Sequence, residues 1–291
     1  MTPDPEVLSP DPDPARAPAP APAPTPAPAS ASAPAPASAS ASASATASGS
    51  ESESALTIIV PVLNEGGTLA RWLRSLGQMC PDAQLVLVDG GSTDDTAAVA
   101  RTSLADRGHS CDRVISSPRG RARQMNAGAA VATGDVLLFL HADTRLPTGA
   151  SRSIGHAVAA GAGWGRFDVR IDSPRRSLRM VSWMMNERSH RTGVATGDQA
   201  IFVRRDLFER TGGYPDLPLM EDIALSKLLR RRGRPARIRS RVVTSPRRWE
   251  SNGTWRTIAL MWRLRLEYVL GADPEVLALR YGSRAPDAEG S

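Results

Sequence analysis

Four short segments gather residues whose chemistry goes beyond packing. They are Leu63-Asn64-Glu65-Gly66-Gly67, Asp89-Gly90-Gly91-Ser92-Thr93-Asp94-Asp95, Ser117-Pro118-Arg119-Gly120-Arg121 and His141-Ala142-Asp143. Each follows an apolar run. A carboxylate can accept a hydrogen bond from a base imide or a ribose hydroxyl, and another can hold a hard divalent cation through oxygen. Arginines at a helix start add paired oxyanion contacts to the free backbone N–H groups there. Such a set suits a phosphorylated nucleotide. No G-x-G-x-x-G follows the first apolar run, and no Walker A loop is present, so acids rather than a glycine-rich cradle would carry the recognition.

The elements that must position these residues are legible from periodicity. Residues 57–62, 85–88, 114–116 and 136–140 are short, apolar and largely β-branched, and read as buried strands. Leu69, Trp72, Leu73 and Leu76 share one helical face, residues 97–104 continue a second helix, and 120–132 form a third rich in small residues. Ser92 and Asp95 are spaced as a capping-box variant for the second helix. This alternation predicts an α/β fold with a mostly parallel central sheet flanked by helices. Ligands of such open sheets sit beyond the carboxyl ends of the strands, where the four segments converge. After about residue 145, helical stretches (148–160, 174–190, 221–232, 254–270) mix with strand-like ones (165–171, 199–204, 236–244).

Composition divides the 291 residues. The first 54 hold 13 of the 24 prolines and are otherwise mostly Ala and Ser, with Arg16 against six acids. Such a stretch lacks the apolar bulk to offset chain entropy and is expected to be a disordered tail. Residues 55–282 read as one domain and 283–291 as a flexible C-terminus. Because the tail is acidic, the domain is more basic than the chain's net +6. No apolar run reaches 18 residues and no signal-peptide pattern appears. Cys80 and Cys111 form neither a C-x-x-C pair nor a staple framework, and read as reduced thiols of a cytoplasmic protein.

Ile58, Val60 and Pro61 running into Asn64-Glu65, then Asp89-Gly90-Gly91-Ser92-Thr93-Asp94, then the apolar run ending in His141-Ala142-Asp143, resemble the family 2 glycosyltransferases. Gly197-Asp198-Gln199, Met220-Glu221-Asp222 and Arg247-Arg248-Trp249-Glu250 look like the radical-SAM/selenodomain-associated transferase 2 subfamily. The resemblance covers roughly residues 56–281. It implies a Rossmann-like glycosyltransferase A-type fold with C-terminal helices. It also implies an inverting transfer of sugar from a nucleotide-diphospho-sugar to an acceptor hydroxyl. By the same resemblance Glu65 and Asp89 contact the nucleoside, Arg121 and Arg248 the diphosphate, and Asp198 and Trp249 the acceptor. Asp222 is the implied general base. Asp143 matches the last acid of the family's D-x-D motif and would bind Mg²⁺ or Mn²⁺; His141 stands where the first acid is expected. The picture requires Asp89, Asp143 and Asp222 to meet in one pocket.

Residues 174–191 and 254–270 carry arginines around Trp, Leu and Met. They read either as helices covering the sheet or as a peripheral contact with an anionic membrane, which would suit a lipid acceptor. Rival functions stay open: a sugar nucleotidyltransferase, opposed by the Leu63–Gly67 segment, and an inactive nucleotide-sugar-binding protein on the same fold. A nucleic-acid partner is disfavoured, since the basic surface lacks interleaved aromatics and a helix-turn-helix or zinc pattern.

Overall fold

The computed structural model describes residues 55–282, apart from the side chains of Arg248, Ser251, Asn252 and Thr254. The expected tail 1–54 and C-terminus 283–291 lie outside the described residues. Four parallel strands form one half of the sheet: β1 (Leu56–Val62), β2 (Gln84–Asp89), β3 (Arg113–Ser116) and β4 (Val136–Phe139). They are joined by α1 (Gly66–Met79), α2 (Thr96–Arg107) and α3 (Arg121–Ala130). Side chains alternate across a strand, so each strand feeds two cores. Ile58, Val60, Leu85 and Leu87 pack with Leu69, Leu73 and Leu104 of α1 and α2. Ile59, Val86, Val88 and Phe139 pack with Ala122 and Met125 of α3. Continuous apolar runs are what a sheet covered on both faces demands.

The other half mixes directions. After β5 (Thr144–Arg145) come α4 (Ala150–Ala159), β6 (Trp164–Ile171), α5 (Arg176–Thr192), a 3₁₀ turn at Gly197–Gln199 and β7 (Ile201–Arg204). Then follow α6 (Arg205–Arg210), α7 (Glu221–Arg230), β8 (Ala236–Thr244), α8 (Arg247–Asn252), α9 (Thr254–Val269) and α10 (Pro274–Gly282). The strand order is β3-β2-β1-β4-β7-β6-β8-β5. β7 runs against both β4 and β6, β8 runs with β6, and β5 closes the edge against β8. The sheet is therefore mixed, with its parallel pairs concentrated in the amino-terminal half. β5, α6, α8 and α10 were not anticipated from periodicity, being too short or too irregular to show a period. The expected strand at 199–204 begins only at Ile201, because residues 197–199 turn.

The expected capping box is not formed. Asp95, the residue before α2, makes no capping bond. Ser92 instead donates its hydroxyl to Asp89 and accepts from the Asn64 N–H at 3.0 Å. A buried carboxylate needs donors more than an exposed helix end does.

Gly165 in β6 sits where a Cβ would lie 2.5 Å from the Phe202 ring and 2.6 Å from the Ala236 carbonyl oxygen. The second neighbour is backbone and cannot swing aside. Gly165→Ala is expected to destabilise the fold by about 1–3 kcal/mol, measured by urea denaturation. Unchanged stability would show that β7 and β8 do not clasp β6 this closely.

Candidate functional site

A cleft of about 450 Å³ opens beyond the carboxyl ends of β1 and β4. Glu65, Arg121, Asp143, Asp198 and Trp249 all line it, with Arg119, Gln124, His141 and Arg247. Five of the residues expected at the site therefore share one wall system, although they come from five different parts of the chain. The side chain of Arg248 lies outside the described residues.

Each residue arrives by a specific local device. Glu65 follows Asn64, whose φ of 53° turns the chain sharply out of β1. The Asn64 side-chain oxygen accepts from the Thr93 N–H at 2.9 Å, and the Glu65 N–H donates to Thr96 Oγ1 at 2.7 Å. Asp94 accepts from the Gly66 N–H at 3.1 Å, so it serves the start of α1 as well as α2. These bonds stitch the loops after β1 and β2 together. Burial pushes the Glu65 carboxyl up from its ordinary value; Arg247, 3.7 Å away, opposes this and Asp143 adds to it. Two acids facing one cleft are thereby balanced by one exposed arginine.

Arg121 opens α3 with an exposed side chain that lines the cleft. The surrounding protein disfavours its charge by desolvation, but Glu221, Tyr281, Asp198 and Asp222 together more than offset this and hold its pKa above the ordinary value. Arg123, two residues on, turns outward to Asp216 with contacts of 2.9 and 3.0 Å and is ordinary surface charge. Gln124 is buried and donates to the carbonyls of Val62 (3.0 Å) and Val88 (2.8 Å). His141 lies 3.4 Å from Asp198 through Nδ1. Trp249 reaches the cleft while packing against the cluster of Ile171, Leu178 and Val181, so it both fills core and forms wall.

Two expected residues sit elsewhere. Asp222 stands behind the wall rather than on it: one oxygen accepts from the Gly197 N–H at 2.8 Å and the other from its neighbour Ile223 N–H at 2.7 Å. It thus adjoins Asp198 through the Gly197–Gln199 turn. Asp89 does not line the cleft. Its buried carboxylate accepts from the N–H groups of Gly91 (3.3 Å) and Ser92 (3.2 Å) and from the Ser92 hydroxyl. Ending a strand buried on both faces, it finds its donors in its own loop and shapes that loop. The expected meeting of Asp89, Asp143 and Asp222 in one pocket is replaced by Asp143 on the wall, Asp222 behind it and Asp89 beneath.

Among the described residues, three non-glycine residues have positive φ: Asn64, Ala200 and Met220. They flank Glu65, the Asp198 turn and Glu221-Asp222 in turn. Strained backbone of this kind persists where surrounding structure enforces it. The strain is a second mark of the site that no sequence pattern announced. Gln124, Arg247 and Glu221 were also missed as site residues; for Gln124, the polar position on an otherwise apolar helix face was the available signal.

No group of three or more His, Cys, Asp or Glu poised as metal ligands is present among the described residues. Asp143 stands with Glu65 as hard oxygen donors on the cleft wall, a set that suits a magnesium- or manganese-type ion shared with phosphate oxygens rather than caged by protein.

The fold is the glycosyltransferase A type. It is shared with a mannosyltransferase from Pyrobaculum calidifontis solved with GDP-Man and Mn²⁺ (TM-score 0.55, 19% identity, 81% of this chain and 66% of that one). It is also shared with residues 1–349 of S. aureus TarS in complex with UDP-GlcNAc (TM-score 0.53, 16% identity, 66% of this chain and 58% of that one). The family described as Glycosyl transferase family 2 matches residues 57–207, and the chain belongs to that family. A PGL/p-HBAD biosynthesis glycosyltransferase of Mycobacterium bovis is 42% identical over 91 residues (31% of this chain, 36% of the relative). An undecaprenyl-phosphate 4-deoxy-4-formamido-L-arabinose transferase of Sodalis glossinidius is 30% identical over 162 residues (51% and 48%). The chain thus spans between about a third and a half of these relatives' lengths.

Glu221 gives the site a pH signature. It is buried, and burial followed by the charge of Asp222 pushes its carboxyl from 4.5 up to about 6, against the pull of Arg121. Between these values the folded protein keeps a proton that the unfolded chain releases. Stability therefore falls as pH rises through 4.5 to 6, by on the order of 2 kcal/mol, and the loss is complete above 6. Glu221→Gln should remove this component, so that denaturation curves of variant and parent converge at low pH and separate above pH 6. Parallel pH profiles would place the Glu221 carboxyl at its ordinary value.

Proposed function

We propose that this family 2 protein transfers a sugar from a nucleotide-diphospho-sugar to an acceptor hydroxyl, with inversion at the anomeric carbon. The observation that carries the reading is the single cleft uniting Glu65, Arg121, Asp143 and Asp198 beyond the strand ends, with Asp222 one turn behind. The narrower subfamily placement rests on the Gly197–Gln199 and Glu221-Asp222 segments and belongs to this proposal.

In the proposed arrangement Glu65 receives the nucleoside, on a loop stitched to the neighbouring one that Asp89 shapes. Arg121 faces the diphosphate, and the nearby Arg248 is assigned the same partner from sequence. Mg²⁺ or Mn²⁺, held by Asp143 and the phosphates, would supply neutralisation of the charge that grows on the leaving group. Asp198 and Trp249 position the acceptor. Its hydroxyl oxygen attacks the anomeric carbon, the bond from that carbon to the phosphate oxygen breaks, and the electron pair departs with the nucleoside diphosphate. Asp222 takes the hydroxyl proton. Its two backbone hydrogen bonds fix its orientation for that task.

A thermal-shift panel of UDP- and GDP-sugars tests the donor reading. One donor should raise the Tm more with Mn²⁺ than without, and Asp143→Ala should abolish the metal-dependent part. Asp222→Asn should retain that shift while turnover falls by about 10²–10⁴-fold. No shift with any donor would sink the transferase; binding with turnover indifferent to Asp222→Asn would favour a non-catalytic sugar-nucleotide binder.

The acceptor is proposed to be a lipid met at a membrane surface. The name of the Sodalis relative points that way, and so does the outer face of α5, α9 and α10. Trp183, Trp255, Trp262, Leu266, Val269, Leu270 and Leu279 are each at least 60% exposed there, beside arginines such as Arg179, Arg256 and Arg263. Apolar bodies flanked by guanidinium groups suit the interface of an anionic bilayer. No helix among the described residues is long and apolar enough to cross a membrane. Sedimentation with phosphatidylglycerol vesicles should pull the protein down, and Trp255→Asp with Leu270→Asp should release it; equal retention of parent and variant would remove this surface from the proposal.

A further inference from the structure

A second cavity of about 270 Å³ adjoins the cleft, sharing Asp198 and Trp249 with it. Its walls are largely apolar, with Trp183, Met184, Met261 and Trp262 from α5 and α9. Its charged lining is Asp198, the ion-paired Glu187 and Arg191, and two further arginines, Arg188 and Arg265. The Nε and Nη2 atoms of Arg188 are shut off from solvent and have no hydrogen-bond partner among the described residues. Arg265 is half-buried beside it on the same wall. Burial, then the like charge of Arg265, lowers the Arg188 pKa to about 10, with Asp222 opposing. Burial lowers that of Arg265 too, against Asp222 and Asp198. A guanidinium group with two atoms shut off from solvent and without a hydrogen-bond partner is costly to the folded state. Core packing alone would favour Met or Leu at position 188.

We propose that this cavity is the acceptor subsite, and that it takes an amphiphile whose phosphate or carboxylate seats against Arg188 and Arg265 while its apolar body lies along the Trp183–Trp262 trough. Charge complementarity selects the occupant. An oxyanion supplies the acceptors that Arg188 lacks and a counter-charge for Arg265, and a neutral lipid does not. The shared wall at Asp198 and Trp249 then sets the acceptor's reactive hydroxyl toward the donor cleft. The trough also opens at Trp183 and Trp262, both on the exposed apolar face, so an amphiphile can enter from a bilayer without crossing water. This assignment rests on the transferase reading for the word acceptor, but not for the binding of the amphiphile itself.

The test uses the full chain and four probes: decyl phosphate and decanoate below their micelle-forming concentrations, neutral decyl maltoside, and inorganic phosphate. Binding is followed by titration calorimetry and tryptophan fluorescence. Decyl phosphate or decanoate should bind at least tenfold more tightly than either the neutral amphiphile or inorganic phosphate. Arg188→Met and Arg265→Met should each reduce that affinity at least tenfold. Arg188→Met should also raise the Tm of the ligand-free protein, because it removes a guanidinium group whose buried atoms have no partner. Tighter binding of inorganic phosphate than of the amphiphiles would assign the arginines to a free anion and overturn the proposal. Equal binding of neutral and anionic amphiphiles would do so as well, and a lowered Tm in both variants would show the arginines to be structural. Nucleotide-sugar thermal shifts measured on the same variants separate the two readings. Loss of donor binding in the parent with amphiphile binding intact defeats the transferase alone. Intact donor binding with no anion preference defeats the subsite alone.

Discussion

One amide holds the working edge of the sheet. Gln124 donates to the carbonyls of Val62 and Val88, where β1 and β2 end and their loops diverge. The Val62 carbonyl also accepts from the Gly90 N–H at 3.0 Å, so the Gln124 amide, buried and needing acceptors itself, ties its helix to these two strand ends. The same closeness explains the glycine after Asp89: a Cβ on Gly90 would meet the Gln124 amide at 2.9–3.1 Å. The position of Arg121 follows as well, because it lies one helical turn before Gln124. The placement of Arg121, the Gly90-Gly91 loop and the β1–β2 spacing are consequences of a single docking.

Around that edge, charge is handled in two ways. In the cleft, opposite charges stand close. Arg121 faces Glu221, Asp198 and Asp222, and Glu65 faces Arg247. A cleft balanced in this way tolerates desolvation when a charged ligand closes it. In the adjoining cavity, Arg188 sits among Trp and Met with two buried nitrogens lacking a hydrogen-bond partner, beside the half-buried Arg265. The buried Arg166 also leaves its Nε without a partner, but it is ion-paired with Asp168, which receives three further contacts from Arg237 at 2.9–3.2 Å; Arg188 has no such carboxylate bonded to it among the described residues. The contrast argues that the exception serves a ligand, since packing without one would have been more stable with apolar residues there.

The amino-terminal half of the fold was legible because its strands are buried on both faces and its helices on one. That yields continuous apolar runs alternating with i, i+3, i+4 patterns, and the acids and arginines at the ends of those runs fell on one edge as expected. The mixed second half was less legible. β5 is two residues long, α6 and α8 six each, and such pieces take their conformation from neighbours rather than from a period. The Ser92–Asp95 capping pattern was present but unused, because Asp89 and Asn64 competed for the same groups. Asp89 shows what a local signal leaves out: an acid at the end of a buried strand before Gly-Gly reads as a ligand contact, and the structure adds that its carboxylate accepts from Gly91 and Ser92 of its own loop.

By itself, the sequence determined the covered sheet, the order of its first helices, and the convergence of Glu65, Arg121 and Asp143 at the strand ends. Periodicity and strand polarity act over short stretches of chain and need no distant partner. Only the tertiary structure decided that Asp222 stands behind the Gly197 turn, that Asp89 serves its own loop, and that Arg188 and Arg265 share an apolar cavity. Those outcomes depend on which donors and acceptors lie within about 3 Å across separations of tens of residues, and a competition of that kind is settled only by packing.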